Sequence, residues 1–206
     1  MKLKIVMPIA QNESLNPDVL MAVRDVQTAY RGSAFELGQG SGKNMFAAIA
    51  KNRNDGIRKG GYEQFDYVLC WDSDIIGKPN DVAALVQASK GKRIVSAAYR
   101  HRVDRKCICA AAGKKTEWLP TWTAGVHKVV MTGAGFLLIP TKVLTKMSSI
   151  GRGKWFETRK LKGVQIGEDT CFCMNAAAAG VEMAVHCGAF VNHLLDMERH
   201  YGTEEG

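Results

Sequence analysis

The 206-residue sequence contains no run of about 18 apolar residues, so no helical membrane span is expected. Its longest apolar stretch, Val129–Pro140, is interrupted by Thr132, Gly133 and Gly135. Repeats, linkers and low-complexity tracts are absent too. With 46% apolar and 23% charged residues, whole-chain disorder, collagen and coiled coil are excluded. The apolar stretch within Met1–Pro8 is too short for a signal peptide, and polar Gln11, Asn12 and Glu13 follow it at once. A cytoplasmic protein with reduced cysteines is therefore expected. The six cysteines lie at 70, 107, 109, 171, 173 and 187. One intervening residue in each Cys-x-Cys pair is poor spacing for structural zinc, so small buried apolar side chains are the better reading. Two phosphate motifs also fail. Gly38–Asn44 resembles a P-loop but has Leu37 where its first glycine belongs and Asn44 where its hydroxyl belongs. In the dinucleotide fingerprint, Lys43 stands in the place of the third glycine.

What the sequence does have is positive charge. Lys and Arg number 28 against 20 Asp and Glu, a net +8, which favours anionic partners such as nucleotides, phosphorylated substrates, nucleic acid or an acidic surface. Strand and helix patterns alternate through the first hundred residues. Strands are expected at Lys4–Ile9, Ala34–Leu37, Phe65–Trp71 and Arg93–Tyr99. Helices are expected from Asn16-Pro17, over Asn44–Arg58 and over Pro79–Ser89. The second helix should turn Phe46, Ile49, Ala50 and Ile57 inward. The rest is less regular. Strands are expected at Lys128–Met131, Gly135–Ile139 and within Glu182–His193, and helices at Thr141–Met147 and Glu168–Ala179. Ser148–Gly167 reads as a basic, glycine-rich loop suited to a lid. The fold class is α/β, with a mostly parallel central sheet flanked by helices and ligands at the carboxyl ends of its strands.

The most informative stretch is Asp66–Ile75. A buried strand delivers Asp72 and Asp74, and in extended chain residues two apart share a side, so the two carboxylates are expected to converge. Convergent carboxylates favour a hard cation such as Mg²⁺ or Mn²⁺, which keeps open positions for substrate phosphates. The competing reading is an Asx turn at a strand end.

In this context the chain resembles the GT-A glycosyltransferases, especially those similar to family 2. The stretches that carry the resemblance are Met7-Pro8-Ile9, Lys51-Asn52-Arg53-Asn54, Asp72-Ser73-Asp74, Thr132–Phe136, Trp155-Phe156 with Gly167–Cys173, and Gly180-Val181 running to His193-Leu194. They occur in the family's order from about residue 3 to 195. The resemblance implies a GT-A fold and a single domain over 1–195. Residues 1–100 would form a nucleotide-sugar half and 101–195 an acceptor half, followed by a polar tail at 196–206. It implies a metal-dependent transfer of sugar from a nucleotide-sugar, a UDP-sugar first, to an acceptor hydroxyl. Asp72, Asp74 and His193 would hold Mn²⁺ or Mg²⁺, and Pro8, Ile9, Arg53, Asn54 and Asp72 would lie against the donor. Asp169 would be the base, with Glu168 holding the acceptor. The Tyr-Asn that often follows the first-strand proline is replaced by Ile9-Ala10-Gln11-Asn12.

On their own, Glu168 and Asp169 also read as acidic residues placed at a helix start by the dipole. Trp155 reads equally as a sugar-stacking ring or a core anchor. The basic stretches Arg100–Lys106 and Arg152–Lys162 read as solvated faces or as diphosphate contacts. A sugar-nucleotide nucleotidyltransferase is the first rival, but no glycine-rich, arginine-containing loop follows the first strand. A non-catalytic nucleic-acid-binding module is the second; it requires basic residues interleaved with exposed aromatics, and the basic stretches here contain few, which leaves a transferase acting on modified bases in DNA as a hybrid. The acceptor is a glycan, a protein or a modified base in DNA, and the oligomeric state is not specified by the sequence.

Overall fold

A computed structural model describes residues 1–10, 15–40, 44–101, 106–113, 116–151 and 154–194. The readings on Gln11–Glu13, Lys43, Arg102–Arg105, Arg152-Gly153 and the tail at 196–206 lie outside these residues. The first half alternates as expected: β1 (Leu3–Ala10), α1 (Pro17–Ala29), β2 (Ala34–Gly40), α2 (Met45–Arg58), β3 (Tyr67–Trp71), β4 (Ile75–Ile76), α3 (Pro79–Ser89) and β5 (Ile94–Ala98). The local chemistry sets the boundaries. The side chain of Asn16 accepts from the backbone N–H of Asp18 and Pro17 opens α1, while Asn44 accepts from Ala47 N–H to open α2.

Beyond β5 come β6 (Cys107–Ala112), β7 (Glu117–Pro120), β8 (Val126–Val129), β9 (Met131–Thr132), β10 (Phe136–Pro140) and α4 (Thr141–Gly151). They are followed by β11 (Arg159–Leu161), β12 (Val164–Ile166), α5 (Glu168–Ala178), β13 (Met183–Phe190) and β14 (Asn192–His193). Two features differ from expectation. The irregular middle contains β6 and β7, which join β9 in a small antiparallel sheet. The expected loop before Gly167 instead extends α4 to Gly151 and then forms the β11–β12 hairpin. Its turn, Lys162-Gly163, has φ of 49° and 83°, the double positive-φ signature of a two-residue hairpin turn.

The seven-stranded sheet runs β2-β1-β3-β10-β5-β13-β8. The β1–β2, β1–β3 and β5–β13 pairs are parallel, whereas β10 runs antiparallel to both β3 and β5 and β8 antiparallel to β13. The α/β class holds, with a sheet more mixed than simple strand–helix alternation suggests. Strand β10, from the second half of the chain, sits between β3 and β5 of the first.

Each face of the sheet has its own core. Leu3, Ile5, Met7 and Ile9 of β1 join Leu69 and Trp71 of β3 against Val19, Val23 and Val26 of α1 and Val82 and Leu85 of α3. Val6, Val68 and Cys70 face the other way, toward Ile57 of α2, Leu144 of α4 and Phe172 of α5. This period-2 division along buried strands places helices on both faces.

Helix α2 buries Ala50 and Ile57 as expected but departs from the rest of its expected face. Phe46 is exposed and Ile49 only half-buried, whereas Asn52, Arg53 and Asn54 are buried together with Gly56 and Ile57. Two glycines permit this close approach. A Cβ on Gly56 would lie 2.6 Å from Val6 Cγ1, and one on Gly38 would lie 2.7 Å from the Asn52 carbonyl oxygen.

Candidate functional site

The site forms at the carboxyl end of β3, around Arg53. Its side chain is 2% exposed. Nη2 donates to Asp72 Oδ1 at 2.6 Å, and Nη1 donates to Asp169 Oδ1 at 2.8 Å and to Glu168 Oε1 at 3.1 Å. One guanidinium from α2 thus ties the end of β3 to the first turn of α5. Its planar fork suits this task, because two separated nitrogens reach Asp72 on one side and the α5 acids on the other. Burial opposes its charge, but Asp72, Asp169 and Glu168 outweigh that and hold its pKa well above the ordinary value.

The Asp72-Ser73-Asp74 segment is a turn, not extended chain: Ile75 N–H donates to the Asp72 carbonyl at 3.2 Å. The expected convergence by strand periodicity is corrected accordingly, and the two carboxylates have different partners. Asp72 meets Arg53, and its backbone N–H donates to the Gly135 carbonyl at 2.8 Å. Asp74 Oδ2 lies 3.2 Å from His193 Nε2. Strand β14 delivers that histidine by pairing antiparallel with β4, His193 opposite Ile75, and Leu194 N–H donates to the Asp74 carbonyl at 2.7 Å.

Asp169 and Glu168 open α5 after its N-cap Gly167. They differ in access: the Asp169 side chain is 34% exposed and that of Glu168 8%. Asp169 Oδ2 also accepts from Ala134 N–H at 3.1 Å, so one oxygen is held by Arg53 and the other by the Gly133–Gly135 turn. Burial, then the neighbouring Asp169 carboxylate, push the Glu168 carboxyl up to about 7 against the pull of Arg53. Asp72 is also raised, by burial first, with Arg53 opposing and Asp169 and Asp74 adding to the rise. One arginine and four carboxylates leave the site net negative.

The Gly133-Ala134-Gly135 turn requires its glycines. A Cβ on Gly133 would stand 2.0 Å from the Tyr99 hydroxyl oxygen, and one on Gly135 would stand 2.6 Å from Ile75 Cδ1. Tyr99 is buried, accepts from Gly135 N–H at 3.0 Å and sets its ring edge-on to His193 at 5.7 Å. It was not singled out from the sequence, where the only signal is its place just beyond a buried strand.

Other expected residues are placed as follows. Pro8 and Ile9 are buried at the end of β1, and the Ile9 carbonyl accepts from Asn52 Nδ2 at 3.3 Å. Asn54 is engaged with the main chain of Phe156: Nδ2 donates to its carbonyl at 2.6 Å and Oδ1 accepts from its N–H at 3.1 Å. Trp155 is a core anchor and not a sugar-stacking ring. It is 3% exposed, edge-on to Tyr62 at 5.2 Å, with Nε1 donating to the Leu144 carbonyl at 2.9 Å. Burial pushes the thiols of Cys70 and Cys173 up to about 12, which makes them poor nucleophiles near neutral pH.

A divalent cation fits part of this arrangement. Among the described residues no group of three His, Cys, Asp or Glu side chains encloses a metal position. The 3.2 Å between His193 Nε2 and Asp74 Oδ2 nonetheless matches the roughly 3 Å between adjacent ligands of one octahedral ion with bonds of about 2.1 Å. A two-ligand protein set, completed by substrate phosphates and water, is how Mg²⁺-type ions are commonly held.

No protein-family profile and no curated protein sequence matches the chain. Solved structures do match. A197 from STIV has a TM-score of 0.59 at 13% identity, covering 90% of this chain and 81% of its own. The catalytic domain of Drosophila β1,4-galactosyltransferase 7, in complex with xylobiose, has a TM-score of 0.54 at 14% identity, covering 98% and 73%. A mutant of that enzyme with manganese, UDP-Gal and xylobiose has a TM-score of 0.52 at 13% identity, covering 100% and 76%. The chain has a GT-A-like α/β fold.

Proposed function

We propose that this protein is a metal-dependent glycosyltransferase that moves a sugar from a nucleotide-sugar, a UDP-sugar first, to an acceptor hydroxyl. The observation that carries the reading is the pairing of Asp74 with His193 at the carboxyl end of β3, beside a carboxylate cluster gathered on Arg53. The similarity to a galactosyltransferase bound to manganese and UDP-Gal supports the choice of donor.

In this reading residues 1–100 supply the donor side, with Pro8 and Ile9 at the end of β1 and Asp72 at the end of β3. Residues 101–195 supply the acceptor side. Asp74 and His193 would hold Mn²⁺ or Mg²⁺. When bound, the ion supplies positive charge to the diphosphate leaving group. Arg53 holds Asp72, Glu168 and Asp169 in one arrangement and acts as a positioning residue. In an inverting transfer the acceptor oxygen bonds to the anomeric carbon as that carbon's bond to the diphosphate oxygen breaks. The acceptor proton passes to the carboxylate of Asp169, the more accessible of the two acids on α5. Glu168 fixes Arg53 from its buried position and, in this reading, supports the acceptor side through that contact.

The test is a thermal-shift titration with Mn²⁺ and a panel of UDP-, GDP- and other nucleotide-sugars, followed by donor hydrolysis. A metal-dependent rise in Tm with UDP-sugars is expected, together with its loss in Asp74→Ala and His193→Ala. If no nucleotide-sugar raises Tm with metal, or if Asp74→Ala keeps the effect, the reading fails.

A further inference from the structure

Tyr99, just past β5, is bonded to the turn that holds Asp169 and lies against the ring of His193. Its hydroxyl oxygen accepts from Gly135 N–H at 3.0 Å. In the same turn Ala134 N–H donates to Asp169 Oδ2 at 3.1 Å, and the Gly135 carbonyl accepts from Asp72 N–H at 2.8 Å. The other end of the turn is tied to Tyr99 as well. Gly133 N–H donates to the Cys109 carbonyl at 2.9 Å, and Cys109 N–H donates to the Tyr99 carbonyl at 2.8 Å. The main chain and side chain of one residue thus hold Gly133–Gly135 at both ends. The fit is close: a Cβ on Gly133 would stand 2.0 Å from the hydroxyl oxygen, and one on Gly135 3.0 Å from it. Toward the other part of the site, the Tyr99 ring is edge-on to His193 at 5.7 Å and 71°. The carbonyl of the preceding Ala98 accepts from Val191 N–H at 2.9 Å, two residues before that histidine.

A phenol so placed makes two separable contributions. Its ring fills the space beside His193, which a phenylalanine would also do. Its hydroxyl supplies the acceptor for Gly135 N–H, which a phenylalanine would not. Burial first, then the neighbouring Cys109, Asp169 and Asp72, hold the phenol well above its ordinary pKa, so at neutral pH it is a fixed acceptor and not a base. We propose that Tyr99 is a positioning residue for the transfer: through Gly135 and Ala134 its hydroxyl sets where the Asp169 carboxylate stands relative to the Asp74–His193 pair. The proposal rests on the glycosyltransferase reading, which makes Asp169 the base. Arg53 holds one oxygen of that carboxylate and the turn holds the other, so loosening the turn releases Oδ2 while Asp169 stays attached through Oδ1.

The experiment compares the wild type with Tyr99→Phe in two readouts. Amide hydrogen exchange, followed by NMR without ligand, reads the linkage itself. The Ala134 N–H, which is bonded to Asp169 and not to Tyr99, should exchange about tenfold faster in the variant, the protection carried by one buried hydrogen bond. Kinetics of Mn²⁺-dependent UDP-Gal hydrolysis, with water in the place of the acceptor, read its use. There kcat should fall roughly tenfold to a hundredfold, the scale of a misplaced reacting group. KM for UDP-Gal and the Mn²⁺-dependent thermal shift should stay unchanged, a split that a merely structural role would not produce. Unchanged Ala134 exchange, unchanged kcat, or loss of KM and thermal shift together with kcat each overturns the proposal. Should Tyr99→Phe not fold, Asp169→Ala tests the linkage from its more accessible end. Faster exchange of Gly135 N–H, whose acceptor is Tyr99, supports the proposal, and unchanged exchange overturns it. A wild type that neither shifts nor hydrolyses with any nucleotide-sugar overturns the transferase reading instead, while faster Ala134 exchange in Tyr99→Phe still supports the linkage.

Discussion

Arg53 shows how one buried charge organises a site. It is held by three carboxylates, and it also faces the ring of Phe156 at 5.3 Å. Removing it leaves those acids without their cation, so Arg53→Met is expected to lower stability by about 3–5 kcal/mol in urea unfolding. Arg53→Lys should recover little of this. Glu168 gives the site a pH dependence with a definite sign. Its folded pKa of about 7 lies above the ordinary 4.5, so the folded state holds a proton that the unfolded chain has released. Its contribution is fully present below pH 4.5 and lost as pH rises through 7. The loss is roughly 3 kcal/mol at most. Glu168→Gln should flatten that decline, and urea titrations at pH 5 and pH 8 would show a larger gap in the wild type than in the variant. An equal gap would mean that Glu168 titrates normally. The sequence pointed to these residues only through motif order. Nothing in Lys51–Asn54 says that a guanidinium will be buried there, because its partners lie 19, 115 and 116 residues away.

Among elements, α2 is the informative one. Hydrophobic periodicity selected Phe46, Ile49, Ala50 and Ile57 for its inner face; Ala50 and Ile57 are buried there, but Phe46 and Ile49 give way to Gly56 and three polar residues bonded to partners outside the helix. Periodicity assumes that apolar burial decides the face. Here hydrogen bonds to Ile9, Asp72 and Phe156 decide it. Gly56→Ala is therefore expected to cost about 1–3 kcal/mol, since its Cβ would press 2.6 Å from Val6 and lift the helix from β1. Thermal melts would show the loss; a Tm equal to the wild type would mean that the helix can slide. The strands β1, β3, β5 and β10 were legible because continuous apolar runs mark buried strands. The β11–β12 hairpin was not, because its residues are basic and exposed, and only Lys162-Gly163 hints at the turn.

At the scale of the whole molecule, both halves of the chain build one sheet, and the site lies where they meet. Among the described residues no helix is long and apolar enough to cross a membrane. The strand order β3-β10-β5 means that residues 1–100 lack the strand that joins their own central elements. A fragment ending at residue 100 is expected to show no cooperative unfolding and weak near-ultraviolet circular dichroism. Adding residues 101–194 in trans should restore both, and a fragment that melts cooperatively alone would refute this. The same strand order has a consequence during synthesis. Until Pro140 has left the ribosome, β3 and β5 each present an apolar strand with an unfilled edge. About a fifth of the chain, residues 99–140, is made in that state, and an open edge pairs readily with a neighbouring chain. Expression yield should therefore depend on how fast residues 100–140 are translated, with slow codons there directing more of the protein into inclusion bodies.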